Sequence, residues 1–132
     1  MNKPIWLARL LTFGVVLETL AGLGLLIDPA GGVLVLLGAS MQGSGVVIGR
    51  IAGGALLSLG IACWLARKTP TALASVGVAC AYLVYNVVTC VTLAWTNVAL
   101  EGGSLPALCA SLLHGVLGAA MLGALLQDGH DL

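Results

Sequence analysis

The stretch IWLARLLTFGVVLETLAGLGLLI, residues Ile5–Ile27, decides the fold. A bilayer crossing needs about 20 predominantly apolar residues, and this run supplies them. Asp28-Pro29-Ala30-Gly31-Gly32 stops it. Deep inside the run stands Glu18, between Phe13-Gly14-Val15-Val16-Leu17 and Leu20-Ala21-Gly22-Leu23. A charge at that depth costs roughly 2.5–3.5 kcal/mol on insertion scales, so it requires a partner or a function.

Working outward, three more runs have the length and apolarity of membrane helices: about Val46–Ala66, Thr71–Trp95 and Leu105–Leu126. Arg67-Lys68-Thr69-Pro70 makes a tight turn between the second and third, and Thr96–Ser104 separates the third from the fourth. Pro106 suits a first helical turn, where its missing N–H is harmless. Residues 30–45 hold the apolar Val33–Ala39, too short to span, then Met41-Gln42-Gly43-Ser44-Gly45. They read as a short interfacial or re-entrant helix, or as an extension of the second helix broken at Gly43–Gly45. The expected fold is therefore all-α, a single domain (1–132) with four transmembrane helices in one bundle.

Composition agrees. The chain has 132 residues, 60% of them hydrophobic and 8% charged. A soluble domain carries about 25% charged residues, and a chain this small cannot bury so much apolar surface in its own core. Lipid is its expected solvent. The zero net charge leaves no basic surface for nucleic acid, which excludes that class of partner. Met1–Arg9 has the basic start of a signal peptide, but Glu18 interrupts the apolar region and no A-x-A site follows, so the segment reads as a retained helix. Lys3, Arg9, Arg67 and Lys68 fall on one side and Asp28 and Glu101 on the other, which predicts cytoplasmic N- and C-termini. Trp6, Trp64 and Trp95 fall near helix ends, as an interfacial belt would place them. Gly45, Gly49 and Gly53, Gly54 and Ser58, and Ser111, Gly115, Ala119 and Gly123 recur every four residues, a spacing that lets membrane helices approach closely.

The polar residues within the runs converge in depth. At about 1.5 Å rise per residue, Glu18 lies roughly 15 Å below the outer interface, Asn86 roughly 15 Å and His114 roughly 13 Å. Arg50 starts only about 6 Å below it, with a side chain long enough to turn outward or down toward the others. Tyr82, Asn86 and Thr89 share one helical face, and Tyr85 adjoins it. Glu18, Arg50, Tyr82, Tyr85, Asn86 and His114 are therefore the candidate ligand-binding residues. Each also has a bland reading: an Arg50–Glu18 ion pair that fixes register, Arg50 among headgroups, Asn86 on a neighbouring carbonyl, and His114 as a satisfied core histidine. Cys63, Cys80, Cys90 and Cys109 form no C-x-x-C pair and read as small packing residues, with Cys90–Cys109 the one conceivable disulfide. No metal set, nucleophile or cofactor fingerprint is identified, so no cofactor and no catalytic residue is assigned.

The order Leu17-Glu18-x-x-Ala21-Gly22-Leu23, Asp28-Pro29, Arg50-x-x-Gly53, Leu59-Gly60-Ile61-Ala62-Cys63-Trp64, Tyr85-Asn86 and His114 resembles small four-helix bacterial inner-membrane proteins of the DoxX-like group. That resemblance implies a bacterial inner-membrane location and association with quinone-linked or other redox systems. A second resemblance, to small multidrug resistance transporters, rests on chain length and a glutamate in the first helix, and would make Glu18 a proton carrier. The outer 28–45 segment and the low aromatic content of 5% depart from that pattern.

Three functions follow. First is a bundle whose polar pocket binds a small quinone- or lipid-like amphiphile, or a membrane partner. Second is an accessory subunit of a larger complex or homo-oligomer. Third is a small proton-coupled transporter.

Overall fold

The computed structural model describes residues 3–99 and 103–127. Its elements, all helical, are α1 (Lys3–Ile27), α2 (Pro29–Leu37), α3 (Ser44–Ala66), α4 (Leu73–Ala99) and α5 (Leu105–Leu126). Four of them, all but α2, are long and apolar enough to cross a membrane. The chain is a multi-pass membrane bundle in contact with lipid. Its exterior fits that solvent: Ile48, Ile51, Val91 and Val116 are each more than 60% exposed, and in water such a surface would drive aggregation. Glu101 lies outside the described residues, as does the Lys3 side chain.

Local chemistry sets the helix boundaries. Asp28 caps α2, its Oδ1 accepting from the Gly31 amide at 3.1 Å, with Pro29 in the first turn. Gly38 ends α2 in the left-handed region at φ 67°, which a side chain would strain. Ser104 caps α5 through the Ala107 amide at 3.1 Å, and its hydroxyl donates to the Leu37 carbonyl at the end of α2. One residue thus ties the start of α5 to the end of α2. Residues 29–43 form a nine-residue helix, α2, and a following loop, and α3 begins at Ser44, two residues before the expected Val46. The third membrane helix runs on to Ala99, a turn beyond the expected end at Trp95, because nothing between Trp95 and Ala99 opposes a helix.

The long helices pack as two tight pairs, α1 with α3 and α4 with α5. The first pair closes at Gly22 and Gly53. A Cβ on Gly22 would lie 2.8 Å from the Gly53 carbonyl oxygen, and a Cβ on Gly53 equally 2.8 Å from that of Gly22. Only glycine permits that backbone approach. Other members of the expected small-residue rows face lipid: a Cβ on Gly54 or Gly123 meets nothing within 4 Å, and Ala119 is exposed.

The two pairs meet at one end only. There Leu7, Leu10, Leu11, Cys63, Ala66, Ala79, Tyr82, Met121 and Ala124 form the buried core. Arg67 and Lys68 sit at the same end, over the Trp64 ring at 3.8 Å and 5.8 Å. Toward the other end the pairs separate, and α2 lies across the gap with contacts to α1, α3 and α5.

Candidate functional site

The gap between the pairs is a cavity of about 680 Å³. Small-molecule pockets typically measure about 300–1,000 Å³. Every helix contributes to its wall: Leu17, Glu18, Leu20, Ala21, Gly24, Leu25 and Ile27 from α1 with Asp28 after it, Gly31, Gly32, Val33, Val35, Leu36 and Leu37 from α2, Leu56 from α3, Tyr85, Thr89 and Leu93 from α4, and Ala110, Leu113 and His114 from α5. The wall is apolar except at its floor, where Glu18, Tyr85, Thr89 and His114 stand, and at its rim, where Asp28 stands. Leu20, Ile27 and Val35 line the cavity yet are 66%, 79% and 75% exposed. The cavity therefore opens sideways onto the lipid-facing surface.

The floor is a connected polar layer. Glu18 is 2% exposed, and its Oε1 accepts from the Tyr82 hydroxyl at 3.3 Å. Tyr82 reaches it because Gly14 leaves room: a Cβ there would lie 2.9 Å from Tyr82 Cζ. The Tyr82 and Tyr85 rings stack at 6.1 Å, and Tyr85 meets the His114 ring edge-on at 5.4 Å. Asn86 is fully buried, with Nδ2 donating to the Tyr82 carbonyl at 2.8 Å and Oδ1 facing His114 Nδ1 at 2.8 Å. Ser111, one turn before His114, donates to the Cys90 carbonyl at 2.9 Å and seals α5 against α4.

The Asn86 bonds settle the orientation of the histidine. A backbone carbonyl only accepts, so the amide group facing Tyr82 is the NH₂. Oδ1 then faces His114, and Nδ1 must carry the proton. In the neutral ring Nε2 is then left as the acceptor of a residue that lines the cavity. Against an apolar wall, the floor thus presents a carboxylate, an imidazole lone pair and the face and hydroxyl of a tyrosine.

Five of the six candidate residues meet in this layer: Glu18, Tyr85 and His114 front the cavity, while Tyr82 and Asn86 lie behind and hold them. Arg50 is not among them. It is exposed on α3 and lines no part of the cavity, while its neighbour Gly49 faces Pro29 and Met41. Its place near the α2 end of the bundle suits an arginine that reaches the headgroups, and Glu18 takes Tyr82 in place of the expected Arg50 pairing. The Cys90–Cys109 disulfide is also absent: both thiols are free, Cys90 facing Ser111 at 3.8 Å and Cys109 exposed. Among the described residues no group of three His, Cys, Asp or Glu side chains could hold a metal ion.

Nothing in the sequence marks the role of Gly14 or the roof formed by α2. Gly14 carries no signal beyond being one of many glycines. The Asp28-Pro29 start and Gly38 stop of α2 are legible as caps, but not where the helix lies. Neither a family model, nor a curated protein, nor a solved structure matches the chain.

Proposed function

We propose that the protein is an intramembrane binding module for a single-tailed amphiphile. The head sits on the Glu18–Tyr85–His114 floor and the tail leaves through the side opening between α1, α2 and α5. One observation carries the reading: a polar layer that is itself hydrogen-bonded closes the blind end of an otherwise apolar, lipid-accessible cavity. A layer serving only to hold the helices together would have no need of the open volume beside it. A buried carboxylate in a bundle interior is a functional candidate on energetic grounds as well.

The same reading places the protein in a bacterial inner membrane with cytoplasmic termini, supported by the DoxX-like order of residues and by Arg9, Arg67 and Lys68 at one end. The cavity then occupies the outer half of the bilayer. Its size suits a quinone- or lipid-like molecule with a compact head. The experiment is extraction in mild detergent, followed by mass spectrometry of the intact protein and of its bound small molecules. A stoichiometric amphiphile in wild type, lost when Ala21→Phe fills the cavity, is the expected result. Bare protein in both samples, or an adduct indifferent to Ala21→Phe, overturns the reading.

A further inference from the structure

The chemistry of the cavity floor narrows the ligand class. Among the described residues no Lys or Arg lines the cavity. Two carboxylates do, and they are not equivalent. Asp28 is exposed at the rim, where one oxygen caps α2. Glu18 is buried on the floor, where the Tyr82 hydroxyl donates to it at a long 3.3 Å and the Tyr85 hydroxyl is a second neighbouring donor. Beside it, the hydrogen-bonding chain from Tyr82 through Asn86 leaves His114 Nε2 as a second acceptor. Tyr85 adds an aromatic face that stacks on Tyr82 and meets His114 edge-on. The floor therefore offers two acceptors, one of them ionisable, beside a π face and the hydroxyls of Tyr85 and Thr89.

An anionic head is the wrong partner for that surface. A phosphate or carboxylate placed there would be desolvated beside Glu18 with no cation to neutralise it, the most costly arrangement of charges in a low-dielectric site. A head that only accepts, such as an ether or ester, leaves Glu18 and Nε2 unmatched. A primary ammonium answers each feature: it carries the charge opposite to Glu18, donates three hydrogen bonds and is attracted to a tyrosine face. Resting on the amphiphile reading above, we propose that the cavity selects a long-chain primary amine. Its ammonium pairs with Glu18 and donates to His114 Nε2, and its alkyl tail lies along the apolar wall toward Leu20 and Val35.

The test compares four probes with one tail: dodecylamine, 1-dodecanol, dodecanoate and dodecyl methyl ether. Each is radiolabelled and equilibrated with phosphatidylcholine nanodiscs that either hold the protein or are empty. The ammonium adds its charge and two further donors to what the alcohol's single O–H offers Glu18, so dodecylamine should saturate one site about tenfold or more tightly than dodecanol. The ether and dodecanoate should bind more weakly still. Glu18→Gln should remove most of the preference for the amine over the alcohol, and Glu18→Asp should restore part of it. If Glu18→Gln fails to fold, the ranking of the probes on wild type decides alone. Equal binding of amine, alcohol and carboxylate, or tightest binding of dodecanoate, overturns the selectivity while the amphiphile reading stands. Saturable binding of none of the four overturns both.

Discussion

Gly53 and Gly54 are neighbours in α3 with opposite predicted responses to the same substitution. Alanine improves helix propensity by roughly 0.5–1 kcal/mol at either position. At Gly54 the new methyl meets nothing within 4 Å, so the propensity gain stands alone. At Gly53 it would meet the Gly22 carbonyl oxygen at 2.8 Å, the Leu26 amide nitrogen at 2.9 Å and Leu25 Cβ at 3.0 Å. Two of these are backbone atoms, which cannot swing aside, so α1 and α3 must separate. Overpacking of this kind costs about 1–3 kcal/mol. Propensity cancels in the comparison, and Gly53→Ala should be less stable than Gly54→Ala by about 1–3 kcal/mol. Gly22→Ala strikes the same contact from the other side. One separation relieves both clashes, so Gly22→Ala with Gly53→Ala should destabilise by less than the sum of the singles. The assay is reversible unfolding in mixed micelles of mild detergent and sodium dodecyl sulfate, followed by tryptophan fluorescence. Equal stability of Gly53→Ala and Gly54→Ala would refute the α1–α3 interface as described.

Three further outcomes test the site and its supports. Asn86→Leu strands the proton of His114 Nδ1, and a double-mutant cycle of Asn86→Leu with His114→Leu should give a coupling of about 0.6–1.7 kcal/mol, the range for polar pairs in membrane bundles; a coupling of zero in the same unfolding assay counts against the bond. Gly14→Ala should push Tyr82 off Glu18, leaving helix content unchanged by circular dichroism but lowering thermal stability by about 1–3 kcal/mol; an unchanged melting curve would show that Tyr82 is not seated there. Ser104→Ala removes the cap of α5 and the tie to α2, costing about 0.5–2 kcal/mol, and hydrogen exchange should quicken within residues 29–37 while α4 is unaffected.

The sequence is most legible where a single physical rule acts. Span length and the Asp28-Pro29 and Arg67-Lys68-Thr69-Pro70 punctuation place the long helices, because lipid demands continuous apolar runs with satisfied backbones. Rise per residue also places Glu18, Asn86 and His114 at one level, and the structure brings their side chains into one layer. Rotation about the helix axis is what the sequence conceals. Lipid and protein interior are both apolar, so hydropathy does not mark which face turns inward. That is why Arg50, whose side chain is long enough to turn down toward the others, stands outside the cavity, and why Ala119 and Gly123 face lipid while Leu117, Gly118 and Met121 are buried. Glycine spacing shows the same limit: Gly22 and Gly53 make the close approach, but nothing local separates Gly53 from Gly54.

On the amphiphile reading the cavity behind α2 holds an alkyl tail. Its presence is tested most directly by photolabelling in nanodiscs with a long-chain amine that carries a diazirine along its tail, followed by peptide mapping. Labelling concentrated on Leu17–Asp28, Gly31–Leu37 and Ala110–His114, and displaced by excess unlabelled dodecylamine, is the predicted result. Labelling spread evenly over lipid-facing residues such as Val47, Ile48 and Val116, with no displacement, would contradict it.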